Sequence, residues 1–532
     1  MNQTAFFRKV VYLGLMALLL LPLYWLSQPS TTATAEQPGS PGGALAQKRE
    51  EFKLGQASLG KIDPAGETIR LATLGMRGIA ANILWAKADE YKMKEDWTNL
   101  SATLEQIAYL QPNYIGVWQF QSWNLAYNVS YEFDDYRERY AWVIKGIEFL
   151  QKGIEYNAND PRLMSGVGWF AAHKIGRSDE HVQFRRLFRE DDDFHRRQKI
   201  QQRDNWLFGK AYFLEAQRAV ELGATMPASS SPVFYSRPAV AESNYAEALE
   251  GDHREALDAA AAAVAPDSEP AEQFEKRVAD IHKRFRLDIP AAWESSATEW
   301  HKLGDRDFPT EGTAPYRLND RDVLARDLAA AQADLEKFSP GARDRIREAK
   351  LAKLPADRRK ALDIPPQDRT PEQDALANLA EGDTQVSYDE VAQQASASNR
   401  AAAEAAARRA AQLQEMLNEV TRGRENVNFD GWLARCDVEL TDDARQARRW
   451  LHEGSMDFYV LADLPAARSA LEKSFQHWRH ILDKQPELIV DPTSFAMLDG
   501  IHVYEAVLKQ MDEPFPKKFI LQDMLDAEAR MR

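Results

Sequence analysis

The chain is poor in residues that staple, ligate or cradle. Only one of its 532 residues is cysteine, Cys436. An intrachain disulfide is therefore excluded, and so is any Cys-x-x-Cys metal or redox pair. Cys436 reads as a small buried apolar residue, with a reactive thiol as the lesser alternative. No Gly-x-Ser-x-Gly elbow, Walker loop or dinucleotide-binding glycine fingerprint occurs. Gly166-Val167-Gly168 is too short a match to count. Positive charge is also scarce: 82 acidic residues outnumber 67 basic ones, for a formal net charge of −15. That balance opposes a nucleic-acid partner, whose phosphates need clustered Lys and Arg. It equally opposes broad adhesion to an anionic membrane surface.

What is present starts at the N-terminus. Arg8 and Lys9 precede Val10 to Leu26, seventeen residues without a charge, ending near Tyr24 and Trp25. At 1.5 Å per residue the run spans about 26 Å, the lower limit for crossing a bilayer core. The basic pair predicts a cytoplasmic start, and the aromatic pair the far interface. A cleaved signal peptide is the competing reading, with Ala33-Thr34-Ala35 as its small-x-small site. That site lies nine residues beyond the apolar run, so a single-pass inner-membrane anchor is preferred. Either way the bulk of the chain is expected on the extracytoplasmic, periplasmic side. Ser27 to Ala46 holds almost no large apolar side chain and reads as a flexible tether.

The rest predicts an all-α fold. Trp97, Leu100, Leu104, Ile107 and Leu110 recur at three and four, and Pro112 stops their helix. Ile79 to Met93, with Trp85, Ala88 and Tyr91, pairs with it as a helical hairpin. The unit recurs as Trp118 to Asn128 and Tyr136 to Tyr156, closed by Asn157 to Pro161, with a new helix over Leu163 to Lys174. Near the C-terminus Trp450, Gly454, Phe458 and Leu461 line one helix. Ala466, Leu471, Phe475 and Trp478 line its partner, Pro486 closes the pair, and Phe495 to Met511 follows. Hairpins that cannot cover their own apolar faces stack, as tetratricopeptide repeats do, into a solenoid with a curved partner surface.

The centre reads differently. Trp206 to Val220 is a helix. Met226 to Ala239, with three prolines, is expected to be an ordered loop anchored by Phe234 and Tyr235. Ala239 to Leu249 is a helix, Glu250-Gly251-Asp252 a turn, and Ala291 to Leu303 a buried helix carrying Trp293 and Trp300. From Arg321 to Asn426 the chain is Ala-rich, charged and nearly free of aromatics, with Tyr388 an exception. It predicts an extended helical arm, broken at Pro355 and Pro365-Pro366, outside the globular core. The resulting organisation is 1–9 cytoplasmic, 10–26 anchor, 27–58 tether and 59–224 tetratricopeptide-like. Residues 225–320 form a central helical region, 321–426 the arm, and 427–532 a second tetratricopeptide-like region.

Few residues invite a chemical role. His477 and His480 are three apart on one helix and can reach one metal. No pair of Glu-x-x-His motifs and no His-Glu-x-x-His motif accompanies them, so both read as surface or packing residues. The acidic run Glu190 to Asp193, followed by His195, lacks the glycine and spacing of an EF-hand and reads as a solvated loop. The Asn99-Leu100-Ser101 and Asn128-Val129-Ser130 sequons fall inside predicted helices. The tryptophans Trp85, Trp118, Trp123, Trp142 and Trp169 are the unusual feature. Their plain reading is core packing; the alternative is an aromatic groove for a peptide or glycan.

Several stretches carry a resemblance: Gly78 to Trp85, Trp118 to Asn128, Asp204 to Ala219, Ala292 to Gly304 and Trp450 to Pro516. In these the chain resembles a planctomycete family of membrane-anchored, tetratricopeptide-like exported proteins often labelled "iron responsive element". That label describes an RNA hairpin, and no spacing here binds RNA or iron. The resemblance implies the anchor and the helical hairpins, and brings no catalytic residue. Sequence alone therefore predicts a membrane-anchored scaffold or adaptor with a protein partner, not an enzyme, with no cofactor, metal or catalytic residue assigned. The alternative is an enzyme or a glycan- or peptide-binding protein using the Trp-rich helices.

Overall fold

The computed structural model describes Ala44, Gln47 and residues 77–196, 198–226, 231–262, 271–309, 315–459, 461–490 and 493–531. The chain forms two compact units, Met1–Pro227 and Ala228–Arg532. The fold is all-α: among the described residues there is no strand, and one isolated antiparallel bridge joins Phe308 to Tyr316. No helix among them is long and apolar enough to cross a membrane. The anchor expected at Val10 to Leu26 and its tether lie outside the described residues.

In unit 1 the helices are α1 (Arg77–Met93), α2 (Trp97–Leu110), α3 (Ile115–Trp123), α4 (Tyr136–Tyr156), α5 (Pro161–Trp169), α6 (His181–Glu190), α7 (Asp192–His195) and α8 (Asn205–Glu221). The apolar spacing read from sequence is the buried face: Leu100, Leu104 and Ile107 of α2 are at most 1% exposed. Short polar caps start the helices. The Asp135, Asp160 and Asp204 carboxylates accept backbone N–H groups in the first turns of α4, α5 and α8. Pro161 follows Asp160 at the first helical position, where its missing N–H costs nothing. The Asn157 to Pro161 stretch thus ends one helix and caps the next. Asn157 also ties hairpin ends together, its Nδ2 donating to the Pro112 carbonyl (2.6 Å), which the Trp118 indole N–H also reaches (2.8 Å).

The α5–α8 crossing is glycine against glycine. A Cβ on Gly168 would sit 2.7 Å from the Phe213 ring and 2.9 Å from the Gly209 carbonyl. The Gly-Val-Gly stretch is therefore a packing device. The acidic run before His195 is solvated as expected, with Glu190, Asp192 and Asp193 exposed, but it is largely helical instead of a loop. It spans the α6–α7 joint, where Asp191 accepts the Phe194 N–H and the Tyr140 hydroxyl. His195 is buried between Phe188 and Phe194 and bonds the Phe188 carbonyl (2.7 Å). Burial holds its imidazole below the usual histidine range.

Unit 2 comprises α9 (Pro232–Ala262), α10 (Ala271–Gly304), α11 (Arg321–Phe338), α12 (Ala342–Lys353), α13 (Ala356–Leu362), α14 (Pro371–Thr384), α15 (Tyr388–Ala392) and α16 (Arg400–Asn426), then α17 (Phe429–Glu439), α18 (Asp442–Tyr459), α19 (Leu464–Lys484), α20 (Thr493–Gln510) and α21 (Gln522–Met531). Three expectations are corrected here. From Pro232 onward the loop expected before Ala239 is helix, and α9 continues through the expected turn at Gly251. Pro238 removes one helical hydrogen bond, but Phe234, Ala239 and Ala241 beside it are buried, and packing outweighs propensity. Likewise α10 begins twenty residues before Ala291 and runs through Pro290. The third concerns the Ala-rich stretch, which folds back instead of extending. Ala403, Ala407 and Ala410 of α16 form a buried seam against Leu328, Ala331 and Leu335 of α11. Leu324 and Val420 enter the same core as Trp293 and Trp300. The breaks at Pro355 and Pro365-Pro366 fall where expected. Leu461 lies beyond the end of α18 and is exposed.

Candidate functional site

The helices of unit 1 are interrupted twice by π-helical turns, a form that is rare and recurrent at functional sites. One, Asn124–Val129, continues α3; the other, Phe170–Ile175, continues α5. Helix α4 packs against both. Polar side chains brace the first π turn. The Gln121 amide donates to the Ser101 carbonyl (3.3 Å), Asn128 Nδ2 to Asn124 Oδ1 (2.9 Å), and the Ser130 hydroxyl to the Ala126 carbonyl (2.6 Å). On α4, Gly146 admits the first π turn. A Cβ there would lie 2.8 Å from the Ser122 carbonyl and 3.1 Å from Ala126 Cβ.

A tryptophan precedes each π turn, and a ring four residues on stacks against it. Trp123 stacks on Tyr127 with centroids 5.4 Å apart, and Trp169 on His173 at 3.5 Å. The two pairs join: the Trp169 indole N–H donates to the Tyr127 hydroxyl, and Tyr127 meets Phe170 edge-on at 5.8 Å. Trp123 is 47% exposed and Trp169 42%, while Trp118, five residues before Trp123, is fully buried. Unit 1 therefore carries one continuous aromatic face whose large rings are open to solvent. Contiguous exposed apolar surface of this kind marks interaction sites.

Charges border it. The Lys174 ammonium lies 4.8 Å from the Tyr127 ring centroid, and burial pulls its pKa below the usual lysine range while Glu180 pulls the other way. Arg139 pairs with Glu180 and sits 5.5 Å from the ring of exposed Tyr131. Such a face can stack a planar or apolar group and hold an acidic one beside it.

The five tryptophans that stand out in the sequence thus separate. Trp118 packs the core, Trp85 and Trp142 are half-buried against it, and Trp123 and Trp169 form the open face. Sequence reasoning misses Tyr127, His173 and Lys174. Their signal lies in the Trp-x-x-x-ring spacing, repeated at 123 and 169. Neither sequon offers a free amide: Asn99 Nδ2 donates to Asp96 (2.7 Å) and Asn128 Nδ2 to Asn124.

Unit 2 holds a buried polar core. Cys436 is fully enclosed and bonded to Ser296, which joins Ser243 and the Trp300 indole N–H in one polar thread. Burial pushes its thiol up to about 11, so the inert reading holds. Nearby, Arg448 is shared by Glu439 and Glu250, and Arg435 pairs with Glu247 (3.1 Å). Burial, with the charges of Glu439 and Glu247, pushes Glu250 up to about 7 against the pull of Arg448. His477 and His480 are brought to Asp443 of α18. The His477 hydrogen bond holds the Asp443 carboxyl below its usual range. Compared with known proteins, the chain matches no family model, no curated protein and no solved structure.

Proposed function

We propose that this protein is a membrane-anchored extracytoplasmic scaffold or adaptor whose tetratricopeptide-like hairpins bind a protein partner through the aromatic face of unit 1. The observation that carries the reading is the exposure of Trp123 and Trp169 on a backbone braced by two π turns and α4. Large aromatics held rigid at a surface are the usual anchors of protein interfaces, because little conformational entropy is lost on docking. Lys174 lies beside that face, which suits an apolar segment flanked by an acidic residue. Anchoring rests on the Val10 to Leu26 run, and membership of the planctomycete family that the chain resembles rests on the stretches Gly78 to Trp85, Trp118 to Asn128, Asp204 to Ala219, Ala292 to Gly304 and Trp450 to Pro516.

A glycan is the second reading, favoured by the same stacked rings, which suit the apolar face of a sugar. The test is crosslinking in native membranes, comparing the full chain with Trp123→Ala/Trp169→Ala. A defined protein lost from the double variant supports the adaptor. A defined protein captured equally by both forms removes the aromatic face from the interface. Binding to envelope glycan that the variant loses, with no protein captured, favours the second reading.

A further inference from the structure

The α18–α19 hairpin presents a ligand set that neither helix holds alone. Asp443 lies in the first turn of α18, and His477 and His480 lie one turn apart near the end of α19. Asp443 Oδ1 is 3.0 Å from His477 Nδ1 and 3.7 Å from His480 Nδ1. One ligand atom from each of the three residues lies within 4.8 Å of the others. Two ligands on a tetrahedral zinc ion, each about 2.0–2.1 Å from the metal, stand about 3.4 Å apart. The two observed distances bracket that value.

The backbone under this set is fixed. Ala444 and Ala447 of α18 and Ser474 and Trp478 of α19 are buried, and the Ser474 hydroxyl donates to the Ala447 carbonyl across the hairpin (2.7 Å). The ligands themselves remain reachable: the His477 and Asp443 side chains are about a third exposed, and His480 is 63% exposed. Lys484, one turn beyond His480, places its ammonium 3.7 Å from Asp443 Oδ2 and balances the carboxylate charge.

We propose that Asp443, His477 and His480 form a binding site for a divalent transition-metal ion, best suited to zinc. Imidazole suits zinc, copper, iron and nickel, and a single harder carboxylate beside two imidazoles keeps the set better matched to a first-row transition metal than to magnesium or calcium. Three protein ligands leave a coordination position for water or for a side chain of another protein. Lys484 competes with the metal for Asp443. The site lies in unit 2, is independent of the aromatic face of unit 1, and stands or falls separately from the adaptor reading.

The test uses full-length protein without a histidine tag, stripped of metal and titrated with zinc and with cobalt. The expected result is one saturable equivalent and the visible absorption of tetrahedral cobalt. His480→Ala and Asp443→Asn each weaken binding by about tenfold or more, by loss of one of three ligands. His480 is exposed, so its variant keeps the fold, checked by circular dichroism. Lys484→Gln is expected to tighten binding, by freeing the carboxylate. Absence of a saturable equivalent, or affinity unchanged in both ligand variants, overturns the proposal.

Discussion

The two units differ in where their tryptophans stand. In unit 2, Trp293, Trp300 and Trp478 are fully buried, and α16 closes its packing with an alanine seam. Unit 1 buries Trp118 yet leaves Trp123 and Trp169 open, each beside a π turn. Both units bury charge: unit 2 encloses Arg448 with Glu250 and Glu439, and unit 1 pairs Arg185 with Asp204, while Lys174 and Arg139 of unit 1 lie against aromatic rings. Core formation therefore does not account for the open tryptophans. Among the described residues, the tryptophans most open to solvent, Trp123 and Trp169, both lie in unit 1, where the backbone is also irregular.

Substitutions can sharpen that contrast. The largest effect is expected within unit 1 itself. Trp118→Ala should cost about 3–5 kcal/mol by cavity formation, read from denaturant unfolding. Arg448→Ala should cost a similar ~3–5 kcal/mol by stranding Glu439 and Glu250. Hydrogen exchange should show the loss in α17 and α18, with α4 and α5 unchanged. Gly168→Ala forces the α5–α8 crossing apart and should cost about 1–3 kcal/mol by overpacking, read from exchange in α8.

A pH profile probes the enclosed charges. Glu250 is raised from its ordinary 4.5 to about 7 in the fold, so the folded state holds its proton more tightly than the unfolded chain does. Its contribution is full below about 4.5 and is lost as pH rises through about 7. Glu250→Gln should therefore flatten the fall in urea midpoint between those values; a parallel profile contradicts the assignment. The smallest stability effect belongs to the open face. Trp123→Ala and Trp169→Ala should each cost about 1 kcal/mol, the loss of one stacked ring pair at a half-exposed position.

Much of the helical plan is legible in the sequence. Leu100, Leu104 and Ile107 announce their buried face by spacing alone, and Asp160-Pro161 announces a helix start. Helix through Pro238 and Gly251 is not legible, because burial of Phe234 and Ala239 overrides local propensity. The Ala-rich stretch departs from expectation for a related reason. Its alanines look helix-prone and solvent-tolerant, yet their small size is what lets α16 approach α11. Asp443 is hidden from sequence reasoning because it stands 34 residues from His477 and only the hairpin joins them. The open face is half legible. Trp118 and Trp123 are five apart, which on a helix of 3.6 residues per turn places them on different sides.

The most direct test of the account is capture of partners by Trp123→Ala/Trp169→Ala in native membranes, with unit 1 shown by circular dichroism to remain folded. The account predicts loss of a defined partner that the unsubstituted chain crosslinks, with the fold retained. An identical partner set for both chains would contradict it.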